Sequence, residues 1–273
     1  MSLPDSALKN SLLIVAHPDD EILWFGSVAP HVGRIVVCFS HDPAHPELSQ
    51  ARVKTLERHP WADRIMSIGL DETGSFGCAS WPLPGDTEFG LGISGSEGAA
   101  RQYEIRAGQL RTALVPLMEN VDNVYTHNPW GEYGHEEHVM VHRVATALAG
   151  EAGISTWYNN YASSWSMLLM CQYLDKADRP VISGTVDIET MMAIADIYRE
   201  AGAWTWFDDY SWFKTEHFVS GPLRRNTAPA FGWMFPVNYL GLADRDEPER
   251  RARRPGILGR IRRKFRRYGA AHG

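Results

Sequence analysis

The chain contains 273 residues, with 27 basic and 33 acidic side chains and a formal net charge of −6. That length accommodates one α/β domain with a full core, and no repeat or low-complexity linker divides it. Its three cysteines have neither a pairing pattern nor metal-ligand spacing, which argues against a disulfide framework. The N-terminal residues lack a signal-peptide pattern, and no apolar run approaches the roughly 20 residues of a membrane span. We therefore expect a cytoplasmic protein.

Predicted strands and helices alternate along the first two thirds of the chain. Strands are predicted near 12–16, 34–39, 64–69, 122–126 and 155–160. Helices are predicted near 21–30, 47–58, 99–119, 137–150 and 187–201. This alternation is typical of right-handed βαβ units, so we expect an α/β fold with a Rossmann-like, mostly parallel sheet flanked by helices. We assign residues 1–244 to this single domain and residues 245–273 to a basic C-terminal tail.

The first predicted strand runs directly into a cluster of metal-binding residue types. Residues 12–21 read LLIVAHPDDE, an apolar run followed by one imidazole and three carboxylates. In an open α/β sheet, ligands bind at the carboxyl ends of the strands. Histidine with Asp or Glu can hold catalytic zinc, and a spare carboxylate can act as a general base. The alternative is that Asp19 or Asp20 only caps the next helix.

A long loop follows the third predicted strand at the same edge of the sheet. Residues 71–96 are rich in Gly, Pro and Ser and contain Trp81 and Phe89. Long loops without secondary structure of their own are often functional. We interpret this loop as part of a substrate cleft, with a plain surface excursion as the alternative.

A second cluster repeats the arrangement of strand, polar loop and helix. Residues 124–138 read VYTHNPWGEYGHEEH. His135 and His138 are three residues apart, so at a helix start both lie on one face and can address one ion or one substrate. The two clusters together predict one shared site at the carboxyl edge of the sheet. The alternative is a pair of surface histidines in an exposed loop.

The AHPDDE turn at residues 16–21 and the GEYGHEEH segment at residues 131–138 resemble the motifs of a known family. This is the PIG-L/LmbE-like family of zinc-dependent N-acetylglucosaminyl de-N-acetylases, and the resemblance extends through the helix that follows the second motif. It implies a hydrolase that removes the acetyl group from an N-acetylglucosamine-type sugar conjugate, using a metal-bound water and an Asp general base. Precursors of glycosylphosphatidylinositol, mycothiol and bacillithiol are conjugates of this type.

Carried over residue by residue, the resemblance implies three metal ligands: His17, Asp20 and His138. It implies that Asp19 is the general base, and that His135 and Tyr133 are catalytic residues at the oxyanion or the leaving amine. Arg52 falls where the family has a substrate-binding arginine. Glu137 stands where the family often has an aspartate that orients a histidine. Zn²⁺ is the implied cofactor, although a His₂Asp site also accepts other divalent metals such as Fe²⁺.

Six aromatic residues occur within ten positions after the last predicted helix: Trp204, Trp206, Phe207, Tyr210, Trp212 and Phe213. Such rings can stack on sugars at the wall of a cleft, or they can seal the edge of the sheet as core. Nearby His217 is either a further polar contact of the site or a structural residue. Both alternatives stay open at this point.

The C-terminal tail carries a charge opposite to that of the remaining chain. Residues 245–273 contain eleven basic and three acidic residues, so the tail carries +8 and residues 1–244 carry −14. On a helix, four apolar residues of the tail would form one stripe flanked by basic side chains: Ile257, Ile261, Phe265 and Tyr268. This pattern is typical of a helix that lies on an anionic membrane surface, and a solvated or self-docked arm is an equal alternative. Nucleic acid is a less favoured partner.

Three other functions compete with hydrolysis of an acetylated sugar. The first is a membrane- or nucleic-acid-binding protein on an inactive enzyme fold, and the complete set of ligand and base residues argues against it. The second is a deacylase of another amide conjugate. The third is a dinucleotide-dependent enzyme, which is disfavoured because the first strand-to-helix turn has carboxylates in place of the GxGxxG pattern.

Overall fold

A computed structural model describes residues 3–81, 84–174 and 179–225. In this part of the chain the strands are β1 (Ser11–Val15), β2 (Arg34–His41), β3 (Ile65–Asp71), β4 (Asn123–Thr126), β5 (Ser155–Asn159), β6 (Val181–Thr185) and β7 (Thr215–Ser220). The helices are α1 (Asp5–Leu8), α2 (Asp20–Leu23), α3 (Pro46–Arg58), α4 (Glu97–Leu114), α5 (Glu136–Ala152), α6 (Met167–Leu174) and α7 (Ile188–Ala201). None of these helices combines the length and the apolar character needed to cross a membrane.

The strands form one sheet in the order β3-β2-β1-β4-β5-β7-β6. β1 pairs in parallel with both β2 and β4, whereas β7 runs antiparallel to its neighbours β5 and β6. The predicted mostly parallel α/β sheet is therefore confirmed. The chain leaves β1 towards β2 on one side and later returns to β4 on the other, which opens a crevice between the carboxyl ends of β1 and β4.

Both faces of β1 are buried, because its side chains alternate between two hydrophobic clusters. Leu12 and Ile14 pack with side chains of α4 and α5 on one face. Leu13 and Val15 pack on the other face with the segment that follows α2. The continuous apolar run of β1 is thus the pattern of a parallel strand covered on both sides.

The helix predicted over 21–30 is too long, since α2 begins at Asp20 and ends at Leu23. The backbone N–H groups of Gly26 and Ser27 donate instead to the carboxylate of Glu216, at 3.1 and 2.8 Å. Glu216 lies 190 residues from Gly26 along the chain, on β7, so no local pattern could reveal this competition with the helix. The strands β6 and β7 and the helix α6 were also not predicted.

The predicted helix over 99–119 is divided into α4 and a 3₁₀ turn at Val115–Met118. Pro116 lies in this turn, and its missing N–H ends the regular helical hydrogen bonding. The tail at 245–273, with its predicted apolar stripe, lies outside the described residues. The division of the chain at residue 244 also lies there and stays a prediction.

Candidate metal and catalytic site

The turn after β1 places two adjacent carboxylates in different directions. Asp19 has a left-handed backbone with φ of 98°, and its N–H donates to Glu21 Oε2 at 3.0 Å. Asp20 begins α2, and its Oδ2 accepts the N–H of His17 at 2.7 Å. The Asp19 side chain makes no capping hydrogen bond to α2. The helix-capping alternative for Asp19 is therefore wrong, and Glu21 has the structural role of holding the turn.

The turn after β4 also depends on left-handed backbone conformations. Gly131, Glu132 and Gly134 have φ values of 66°, 51° and 93°. A Cβ atom on Gly131 would lie only 2.5 Å from the carbonyl oxygen of His135, so glycine is required there. This tight turn delivers His135 to the N-cap of α5 and His138 to its first turn. Both histidines therefore face the end of β1, and the surface-histidine alternative is wrong for the fully buried His138.

The ligand atoms of His17, Asp20 and His138 converge at the crevice between β1 and β4. They all lie within 4.8 Å of one another. Asp20 Oδ2 is 3.5 Å from both His17 Nδ1 and His138 Nε2. Buried His138 Nε2 has no hydrogen-bond partner within the described part of the chain. A buried nitrogen without a partner, beside a carboxylate and a second imidazole, fits a divalent metal of the zinc type.

Two further groups of residues could hold a metal in the described part of the chain. The first comprises His17, His135 and Glu137; the second comprises His127, Glu132 and His138. In each group the carboxylate is already occupied by protein donors. Glu137 accepts from His17 Nε2 and from Thr73, and Glu132 contacts both histidine rings of its group. The group with Asp20 is favoured because Asp20 Oδ2 faces the unpartnered Nε2 of His138 at 3.5 Å, whereas Glu132 contacts the opposite ring nitrogen, Nδ1.

A second carboxylate stands behind each candidate histidine ligand. Glu137 Oε2 lies 2.7 Å from His17 Nε2, which leaves His17 Nδ1 to face Asp20. Glu132 Oε2 lies 2.6 Å from His138 Nδ1, which leaves His138 Nε2 to face Asp20 as well. Such outer carboxylates orient the imidazole ring and raise its basicity as a ligand. Sequence reasoning missed Glu132 and His127, although both belong to the second motif.

Burial and neighbouring charges separate the two adjacent aspartates. Burial and the nearby Asp20 carboxylate raise the pKa of Asp19 well above its usual value. Burial also opposes ionisation of Asp20, but His138 and His127 lower the pKa of Asp20 well below its usual value. Burial lowers the pKa of His138, which favours the neutral imidazole that metals bind. Neighbouring carboxylates whose environments move their pKa values apart are typical of sites that divide acid and base roles.

The predicted catalytic side chains lie next to the candidate ligands. The His135 ring centroid is 4.7 Å from that of His17 and 4.8 Å from that of His138. The Tyr133 ring stands nearly perpendicular to His138, with centroids 5.4 Å apart. Arg52 projects from α3, is 4% exposed, and pairs with Glu72 at 2.5 Å. The structure thus brings His135 and Tyr133 to the candidate ligands, and the charge of Arg52 acts on the carboxyl group of Asp19. The individual roles of these residues remain predictions.

The loop after β3 covers one side of this site. Thr73 donates its backbone N–H to Glu137 Oε1 at 2.5 Å. The backbone N–H groups of Gly77 and Ala79 donate to Glu136, at 3.2 and 2.8 Å. The Phe76 ring is thereby held 4.8 Å from the His135 ring. The described part of this loop therefore lines the site, as the cleft interpretation expects.

The aromatic segment at residues 204–213 contributes some side chains to the core and others to the candidate site. Trp212 is fully buried, and its Nε1 donates to the carbonyl oxygen of Ile22 at 2.5 Å. Trp206 instead packs against Tyr133, with centroids 5.0 Å apart, and neighbouring Thr205 donates to Asp19 Oδ2 at 3.2 Å. His217 contacts Ser183 between β7 and β6, which is a structural position.

Comparison with known proteins finds a family model and several sequences that are similar to this chain. Residues 12–149 match the family model PIG-L, described as GlcNAc-PI de-N-acetylase. A 1D-myo-inositol 2-acetamido-2-deoxy-alpha-D-glucopyranoside deacetylase of Rhodococcus jostii is 27% identical over 181 residues, covering 58% of this chain. A deacetylase with the same name from Mycolicibacterium vanbaalenii is 29% identical over 168 residues, covering 54% of this chain. These matches span 59% and 55% of the two relatives' own lengths.

A solved structure resembles the fold over a longer range. It is described as a deacetylase complex from the biosynthesis pathway of teicoplanin, and it has a TM-score of 0.50 at 11% sequence identity. The match covers 80% of this chain and 99% of that chain. At this identity the likeness supports the fold alone.

Proposed function

The chain belongs to the PIG-L family of GlcNAc-PI de-N-acetylases, and we propose that it hydrolyses the acetamide of an N-acetylglucosamine-type conjugate. The observation that carries this proposal is the convergence of His17, Asp20 and His138 on one point, with buried His138 Nε2 unpartnered among the described residues. We assign these three residues to a divalent metal, with Zn²⁺ as the first choice and Fe²⁺ as the alternative. When bound, such a metal supplies Lewis acidity and lowers the pKa of a water ligand.

Asp19 is the proposed general base. It lies beside the ligand Asp20 yet makes no capping bond, so its carboxylate is available to take a proton from the attacking water. Because burial and Asp20 raise its pKa, Asp19 holds this proton more strongly than an exposed aspartate would. Thr205 donates to Asp19 Oδ2 at 3.2 Å and orients the carboxylate.

His135 and Tyr133 are proposed to act on the groups that change charge during the reaction. Addition to the acetyl carbonyl places negative charge on its oxygen, and one well-placed donor stabilises such an oxyanion by roughly 3 kcal/mol. Tyr133 carries a hydroxyl suited to this purpose, and His135 lies within ring contact of both candidate histidine ligands. The leaving amine then receives its proton from Asp19 or from His135.

Arg52 is the proposed substrate-binding cation. Its Nε atom is buried without a hydrogen-bond partner among the described residues, while its guanidinium pairs with Glu72. The Arg52 guanidinium supplies donors and the Glu72 carboxylate supplies an acceptor. Together they suit the hydroxyl groups of a sugar, because each hydroxyl both donates and accepts hydrogen bonds. Phe76 and Trp206 flank His135 and Tyr133, and aromatic rings at these positions suit the apolar face of a pyranose.

The proposal is tested by measuring metal content together with amine release from a panel of N-acetylglucosamine conjugates. The panel includes soluble and lipid-linked conjugates, each assayed with and without a chelator. We expect about one metal per chain and amine release that the chelator abolishes and added Zn²⁺ restores. Metal binding without release from any conjugate would favour a deacylase of another amide or an inactive fold. Absence of metal after reconstitution would contradict the proposed site.

The basic tail is proposed to attach the protein to an anionic membrane surface, at the cytoplasmic face. Removal of residues 250–273 should leave hydrolysis of soluble conjugates unchanged and should weaken binding to phosphatidylserine vesicles at least 100-fold. The reason is that each basic residue near such a surface contributes about 1 kcal/mol. Vesicle co-sedimentation measures this effect, with neutral vesicles as a reference.

The matched control for the truncation is a tail with the same composition in scrambled order. It retains the +8 charge of residues 245–273 and loses the apolar stripe, so it should bind more weakly than the natural tail and more strongly than the truncated chain. Equal vesicle binding by the full and truncated chains would contradict the membrane proposal. If the tail binds nucleic acid and does not bind vesicles, nucleic acid is its partner and the membrane proposal is wrong.

A further inference from the structure

Glu132 occupies a completely buried position in the turn after β4. Its backbone has a φ of 51°, a conformation that residues other than glycine adopt rarely. The backbone N–H of Glu132 donates to Asn128 Oδ1 at 3.0 Å, and this hydrogen bond helps to hold the turn. The surrounding structure therefore maintains an uncommon backbone conformation in order to present this one side chain.

The Glu132 carboxylate contacts four nitrogen atoms. Oε1 accepts from Asn159 Nδ2 at 2.6 Å and from the backbone N–H of Asn128 at 3.2 Å. Oε2 lies 3.0 Å from His127 Nδ1 and 2.6 Å from His138 Nδ1. An ionised carboxylate only accepts hydrogen bonds, so both histidines must carry a proton at Nδ1.

The hydrogen bonding of His127 supports this assignment independently. The backbone N–H of Ala16 donates to His127 Nε2 at 2.8 Å, which requires a lone pair on that nitrogen and places the proton on Nδ1; Asp20 Oδ2 lies further from the same nitrogen, at 3.3 Å. The rings of His127 and His138 stack with centroids 3.9 Å apart. Because both rings face one carboxylate oxygen, His138 has the same tautomer, and its unpartnered Nε2 also carries a lone pair.

We propose that Glu132 is a positioning residue that fixes His138 in the tautomer able to bind a metal. It acts on His138 and at the same time, through His127, is connected to the backbone of Ala16 at the end of β1. The Glu132 carboxylate thereby sets the position of His138 relative to the turn after β1. That turn carries the other two proposed ligands, His17 and Asp20. This inference rests on the proposed ligand set, in which His138 binds the metal through Nε2.

The test compares Glu132→Gln with Glu216→Gln. Glu216 is also a buried carboxylate that accepts several hydrogen bonds, from Gly26, Ser27 and Tyr161, but it contacts none of the candidate ligands. The glutamine at position 132 would present an amide N–H₂ group that competes with the histidine Nδ1 protons. We expect Zn²⁺ affinity, measured by competition with a chromogenic chelator, to fall about 10- to 100-fold in Glu132→Gln. The Zn²⁺ affinity of Glu216→Gln should change less than about threefold, because Glu216 contacts none of the proposed metal ligands.

The spectrum of bound Co²⁺ distinguishes positioning from direct ligation. If Glu132 acts through His138, the visible bands of the Co²⁺-loaded Glu132→Gln protein should match those of the parent, because the ligand set is unchanged. A changed spectrum would mean that Glu132 itself binds the metal, as in the His127, Glu132 and His138 group, and would overturn the proposal. Unchanged Zn²⁺ affinity would also overturn it.

A second measurement holds even if Glu132→Gln fails to fold. In the metal-free parent protein labelled with ¹⁵N-histidine, the His138 resonances should show a protonated Nδ1 and an unprotonated Nε2. The opposite tautomer would contradict the proposal. This measurement needs neither substrate nor metal, so failure to find a hydrolysed conjugate would count against the proposed function and leave the Glu132 assignment standing.

Discussion

Replacement of Asp19 by Asn is expected to lower kcat/KM for amine release by about 10²- to 10⁴-fold, the contribution typical of a general base. Asn has nearly the same shape, tolerates the left-handed backbone with φ of 98°, and can still accept a hydrogen bond from Thr205. It cannot take a proton from water. Metal content should therefore stay at the level of the parent protein while activity is lost.

The neighbouring substitution Asp20→Asn is the matched control for Asp19→Asn. Asp20 Oδ2 lies 3.5 Å from both candidate histidine ligands, so its neutralisation should lower metal content as well as activity. Metal analysis and amine release measured on both variants separate the roles of the two carboxylates. Loss of metal from Asp19→Asn, with metal retained in Asp20→Asn, would mean that the ligand and the base are interchanged.

The metal-free Asp19→Asn protein also provides a stability measurement. Burial and Asp20 raise the pKa of Asp19, so the folded parent binds this proton more tightly than the unfolded chain does. The parent therefore loses stability as the pH rises above the unfolded pKa of about 3.9, and the variant does not. At pH 7 the metal-free variant should melt at a higher temperature than the metal-free parent. This difference should shrink as the pH falls below about 4.

The convergence of the two motifs could be predicted because parallel strands end at the same edge of a sheet. β1 is recognisable as a continuous apolar run and β4 as a short strand of residues 123–126, and the polar residues directly after them had to meet if the strands paired. The two strands are neighbours because the chain returns past β1 to place β4 on its other side. Right-handed βαβ connections restrict the possible strand orders and do not by themselves determine this one. The positions of His17, Asp20 and His138 are consequences of that local pattern.

The outer partners of the ligands could not be predicted, because they depend on packing between distant segments. His17 and Glu137 are 120 residues apart, and the sequence offered several carboxylates of equal chemistry as partners for each histidine. Family resemblance directed attention to Glu137 as an orienting residue, and the structure pairs Glu137 with His17 while Glu132 contacts His138. The early end of α2 has the same kind of cause, since Glu216 from β7 binds the backbone after it.

Replacement of His138 by Ala is expected to have the largest effect on the metal. The substitution removes one of three proposed protein ligands, so the loss of affinity should exceed the roughly 10- to 100-fold expected from disturbing an outer partner. The purified variant should contain little metal, and chelator-sensitive amine release should fall to background. Added Zn²⁺ at concentrations that saturate the parent protein should not restore activity.

The matched control for His138→Ala is His142→Ala, one turn further along α5. His142 is also buried, but its Nδ1 donates to the carbonyl oxygen of His127 at 2.8 Å, and it belongs to none of the candidate metal groups. Both variants leave a cavity of similar size, so both should lose folding stability, which thermal unfolding measures. Only His138→Ala should lose metal. Equal metal content in the two variants would remove the second motif from the metal site, because the first motif alone would then hold the ion.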